Sequence, residues 1–97
     1  MADEIRLVYA TAEEMIHTFK SGKDQLEKTE HEMQALASQL EGGALLGQGG
    51  DNFKEAIRGK LCPAINRLSD KFEELMGDVQ KAIEYMQQAD QKSKSKF

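Results

Sequence analysis

There is no tryptophan in this sequence, only one cysteine and one proline, and six aromatic rings in all: two tyrosines and four phenylalanines. Each scarcity excludes something. A single Cys62 cannot close an intrachain disulfide, and nothing in the sequence asks for an intermolecular one; its ordinary role is a small, buried or half-buried helix residue. A single Pro63 leaves long stretches on both sides free to be helical. No apolar run approaches the roughly 18–20 residues of a membrane span. The opening residues Met1 to Arg6 have neither the basic segment nor the apolar core of a secretory signal, so a chain exported from this start would use another route.

Charge excludes more. Net charge is −4, with both signs interspersed, and there is no basic stripe with interleaved aromatics, so nucleic acid is not the expected partner. The one basic cluster, Lys92, Lys94 and Lys96, reads as a solvated tail. No serine or cysteine has a spaced base and orienting acid, and no Cys/His pattern suits a metal. Glu14 and His17 have the Glu-x-x-His spacing of di-iron bundles, but Glu73, Glu74 and Glu84 fall beside the apolar stripe of the second helix rather than within it. His31, one turn after Glu27, reads as a solvated charge pair. No enzyme and no cofactor is expected.

What is present is helical periodicity on both sides of a glycine-rich elbow. Residues 41–50 hold five of the eight glycines. They are not followed by Lys-Ser or Lys-Thr, and no strand precedes them, so a phosphate loop is excluded and a chain reversal remains. Residues 1–10 look extended, with β-leaning Ile5 and Val8 and aromatic Tyr9. Thr11 to Glu14 reads as a capping box that starts the first helix, over about 11–41. Met15, Phe19, Gly22, Leu26, Thr29, Met33, Leu36 and Leu40 follow in steps of four and three, a heptad seam in which Gly22 and Thr29 let a neighbour approach closely.

The turn is expected over 42–50 and the second helix over about 51–90, capped by Asp51 or Asn52, with Phe53 as its first core residue. Its stripe runs through Ala56, Ile57, Leu61, Ala64, Ile65, Leu68, Phe72, Leu75, Met76, Val79, Ile83 and Met86. That stripe is wider than the seam of the first helix, which suits a helix that also meets a second subunit. Pro63 predicts a bend near 59–63, and residues 91–97 read as a flexible tail. The expected fold is all-α: one antiparallel helix-turn-helix domain. A chain this small buries only about 60–65% of its unfolded surface, so dimerisation into a four-helix bundle is the simple completion.

The whole chain resembles the WXG family of small early-secreted-antigen-like proteins, substrates of type VII secretion systems. The family's turn carries Trp-x-Gly with an aromatic six residues after the glycine; here Leu45, Gly47 and Phe53 occupy that frame, with leucine in place of tryptophan. Its second signature, Tyr or an aliphatic residue four positions before an acid, is matched by Met86 and Asp90. Tyr85 misses the tyrosine form by one residue, because position 89 is alanine. The resemblance implies a homodimer, or a heterodimer with a homologous small hairpin. The turn of one subunit would lie near the C-terminal motif of the other and form an export signal read by the secretion ATPase.

On that reading Leu45, Gly47 and Phe53 shape the turn, and Met86 and Asp90 are recognised, with Tyr85 beside them. The seam comprises Met15, Phe19, Leu26, Met33, Leu36, Leu40, Ile57, Leu61, Leu68, Phe72, Leu75, Val79 and Ile83. The resemblance also implies residence in the cytoplasm before export, secretion without a cleaved signal peptide, and service to a larger effector as a second role. Two plainer readings stand beside it: a dimerisation module that is never exported, and a metal-binding bundle using Glu14 and His17. In either, Leu45 and Phe53 only close the end of the bundle, and Asp90 is a solvated helix-end residue.

Overall fold

A computed structural model describes residues 2–44 and 47–95, all of them in helices apart from a bend at Gly47. Helix α1 spans Ala2–Gln39 and passes into a five-residue π-helical turn, Leu40–Ala44. Helix α2 spans Gln48–Ala56, a second π-helical turn spans Ile57–Leu61, and helix α3 spans Cys62–Ser95. The last three form one column that returns antiparallel along α1. Contacts across the pair show the direction: Tyr9 meets Asp90, Lys23 meets Glu73, and Glu41 meets Arg58. The result is a rod of 75 × 18 × 14 Å.

The first helix begins at Ala2, not at Thr11, so residues 2–10 are helical rather than extended. Ile5, Val8 and Ala12 prolong the three-and-four spacing of the seam back to the start, and Asp3 and Glu4 lie in the first turn, at the positive end of the helix dipole. Thr11 is then an interior residue, and its capping box has no helix end to cap. The second column likewise runs to Ser95 instead of ending near Asp90. Nothing after Asp90 breaks a helix, and Lys92 suits the negative end of its dipole.

The elbow is shorter than its glycine content implies. Gly42 and Gly43 belong to the first π-helical turn, and Gly49 and Gly50 to α2. Gly47 is the pivot: with φ 92° and ψ −168° it precedes α2, and its carbonyl accepts from Asp51 N–H at 3.1 Å. That φ is open to glycine and strained for other residues. Because the ladder starts there, Asp51 and Asn52 lie inside α2 rather than capping it, and no side chain caps this end. Leu45 and Leu46 lie outside the described residues, as does Phe97.

A π-helical turn, Ile57–Leu61, lies just before Pro63, in the stretch where a bend is expected. Cys62 N–H donates to the Ile57 carbonyl, five residues back. The ladder has widened just before the residue that has no N–H to contribute, which spares the helix the clash a proline makes with the turn before it. Ile57 and Cys62 keep right-handed helical angles, so helical structure runs unbroken from α2 into α3.

Packing between two helices is a line rather than a volume. Near the elbow Ala37, Ile57 and Cys62 are buried, flanked by Met33, Leu36 and Leu40. Ile65, Ser69 and Ile83 carry the seam along α3. Midway, the Phe19 and Phe72 rings meet with centroids 5.9 Å apart. Phe72 lies on Gly22, where an added Cβ would come within 2.9 Å of the ring. The small residue in the heptad seam is thus the slot for a ring from the other helix. Phe53, expected as a core residue, is instead 50% exposed, and Met15, Leu61 and Leu68 are exposed as well.

Two glycines inside helices separate propensity from packing. A Cβ at Gly77 would meet open space, so Gly77→Ala is expected to stabilise the chain by about 0.5–1 kcal/mol. Gly22→Ala has the same propensity gain but must displace Phe72, and is expected to be neutral or destabilising. Urea denaturation of both variants checks this; equal stabilisation at the two sites would show that the ring moves aside freely.

Candidate interaction site

The grooves among the described residues are open ones, so the candidate site is a set of surfaces. At the open end, where the N-terminal part of α1 lies beside the C-terminal part of α3, Val8, Tyr9, Ala12 and Met15 face Val79, Ala82, Ile83 and Met86 across an apolar groove of about 330 Å³. Asp90 adjoins it and accepts a hydrogen bond of 2.6 Å from the Tyr9 hydroxyl onto Oδ2. A phenol donating to an ionised carboxylate is a short, charge-assisted contact. It holds the Tyr9 proton and raises its pKa, with desolvation and the Asp90 charge adding in the same direction.

The elbow end is closed by charge. Arg58, in the second π-helical turn, grips Glu41 through both guanidinium nitrogens, and its Nη2 lies 3.4 Å from Ser38 Oγ. The Glu41 carboxyl is held below the usual range, chiefly by that hydrogen bond, and the Arg58 guanidinium is raised by the same contact. Midway along the rod Lys23 donates to Glu73 at 2.9 Å and lies 3.7 Å from Glu27. Its pKa is raised mainly by the Glu73 bond.

Against these surfaces the residues expected from sequence fall into separate regions. Gly47 and Phe53 are exposed at the elbow. Met86 lines the groove, Asp90 is half-buried under Tyr9, and Tyr85 points away at 68% exposure. Phe53 and Met86 lie about 50 Å apart along the column, at about 1.5 Å per residue. One chain therefore does not bring its turn motif and its C-terminal motif together.

Glu14 and His17 are both exposed, beside a shallow groove they share with Ala10, Glu13 and Thr18. Among the described residues no group of three or more His, Cys, Asp or Glu could hold a metal ion. Glu27 turns to Lys23. Also among the described residues, no helix is long and apolar enough to cross a membrane. No family model matches the chain, and no curated protein or solved structure is similar to it.

Tyr9 is the functional candidate that sequence reading missed. Its signal was present in the seam spacing Ile5, Val8–Tyr9, Ala12, but β-leaning neighbours hid it. Arg58–Glu41 had no local signal, since the partners are on different helices.

The pKa directions fix the signs of a pH response. Glu41 binds its proton less tightly when folded, so its contribution is complete above about pH 4.3, the ordinary glutamate value, and is lost as pH falls through the lower folded value. Tyr9 binds its proton more tightly when folded, so its contribution is complete below about pH 10 and is lost as pH rises through the higher folded value. Thermal melts against pH should show Glu41→Gln flattening the acid limb and Tyr9→Phe flattening the alkaline limb. Limbs identical to wild type would mean that neither contact persists in solution.

Proposed function

We propose that the chain is a non-enzymatic, WXG-like hairpin protein that dimerises and serves as a substrate, or as the secretion partner of a larger effector, of a type VII secretion system. The observation that carries this reading is the separation of the two motif regions. Gly47 and Phe53 lie at one end of the rod and Met86 and Asp90 at the other, so a signal composed of both needs a second, antiparallel chain. Uncovered apolar surface supports such a partner: Leu61 and Leu68 are 43% and 46% exposed, and Phe53, Met15 and Met86 join them. A soluble rod that stayed single would leave this flank wet, at about 25 cal/mol for each Å² that a partner could cover.

Within this proposal Gly47 gives the turn its left-handed pivot, as the family glycine would, and Phe53 presents an aromatic face next to it. Met86 and Asp90 form the recognition element for the secretion ATPase. The protein resides in the cytoplasm before export and leaves without a cleaved signal peptide.

Export is tested in a host with an intact type VII system. Wild type is expected in the culture supernatant, and Asp90→Ala is expected to be retained in cells with its fold intact, lowering export by about tenfold or more, the size of effect expected of a residue central to an interface. Wild type absent from the supernatant would favour a dimerisation module that is never exported. Unchanged export of Asp90→Ala would remove Asp90 from the signal.

A further inference from the structure

The two residues that the export reading singles out on α3 are met by a third side chain, from the other helix. Met86 and Asp90 are four residues apart and so share one face of α3. Tyr9 reaches both. It lines the apolar groove with Met86, and it also lines an open polar recess with Gln87, Asp90 and Gln91. Its hydroxyl donates to Asp90 Oδ2 at 2.6 Å, across 81 residues of sequence.

A phenylalanine at position 9 would place the same ring in the groove, so packing does not call for the hydroxyl. What the hydroxyl does is fix a carboxylate. Asp90 is half-buried, not enclosed, and an unheld side chain there samples several rotamers. Ordering a side chain on binding costs affinity, and ordering it beforehand recovers that affinity. A carboxylate accepts at about four lone-pair sites, so the bond from Tyr9 holds Asp90 without using up its capacity for a partner. Donor and acceptor come from opposite ends of the chain. The hold therefore exists only where the start of α1 and the end of α3 lie side by side.

We infer that Tyr9 is a positioning residue of the export signal: it holds the Asp90 carboxylate for the secretion ATPase, so the signal is complete only on a closed hairpin. This rests on the export reading above. It adds to that reading a residue of α1 and a requirement on the fold.

A double-substitution cycle separates holding from packing. Tyr9→Phe keeps the ring and removes the donor. It is expected to retain wild-type helicity by circular dichroism and to lower export by about two- to tenfold, the range that ordering one side chain in advance supplies. In an Asp90→Ala background the same change is expected to lower export no further, since two changes that remove one contact do not add. Tyr9→Phe exported as well as wild type, or better, overturns the positioning role and leaves Asp90 in the signal. Losses that multiply overturn it too, because Tyr9 then acts through the groove and not through Asp90. A wild type that is not exported overturns the export reading, and the role of Tyr9 with it.

The contact has its own readout, independent of export. Tyr85 is the only other tyrosine, so alkaline absorbance titration of a Tyr85→Phe chain, made for this measurement alone, reports Tyr9 by itself. Tyr9 is expected to ionise above the ordinary value of about 10, because Asp90 holds its proton, and to return toward that value when Asp90→Ala is added. A Tyr9 that titrates as an ordinary phenol in both chains overturns the hold.

Discussion

Two helices have no inside, and that single limit governs this protein. Each can cover only one flank of the other, so burial is confined to a line of small and medium side chains from Ala37 and Cys62 at the elbow to Ile83 at the open end. Everything that holds the rod in register lies on or beside that line. Phe72 fills the slot left by Gly22, and Phe19 closes over it. Polar contacts lie at the two ends of that line: Arg58 on Glu41 at the elbow, Tyr9 on Asp90 at the mouth.

The same limit puts what the described residues offer on the outside of the rod. They offer an apolar groove at the mouth and an aromatic at the elbow. These surfaces lie on a rod 75 Å long, and they can cooperate only when another chain spans the distance between them. On the proposed reading, pairing would both cover apolar surface and join the two ends into one recognition feature.

Much of this was legible in the residues. The reversal at the glycines and the role of Gly22 as a close-approach position follow from spacing and residue size, and the structure agrees with both; of the first helix's seam, Phe19 to Leu40 are half-buried and Met15 is exposed. Boundaries were less legible. Ile5, Val8 and Tyr9 lean toward extended structure one by one, yet they extend the seam, and a seam with a partner outweighs the weak preference of single residues. Thr11 and Glu14 make a good capping box by type, in a place where no helix ends. Pro63 announced a disturbance but not the widened, π-helical ladder before it, because a helix widens by one residue according to what its flank must meet.

The sequence alone determined that this is an all-helical hairpin with a glycine pivot, since apolar period, absence of strand alternation and positive-φ tolerance are local properties. The tertiary structure alone decided which apolar residues are buried. Leu61 and Ile65 are one turn apart and alike in chemistry, yet Ile65 faces α1 and Leu61 faces solvent. It alone also joined Tyr9 to Asp90, separated by 81 residues. Both outcomes depend on the angle at which two helices meet, and that angle is set by contacts between residues far apart in the chain.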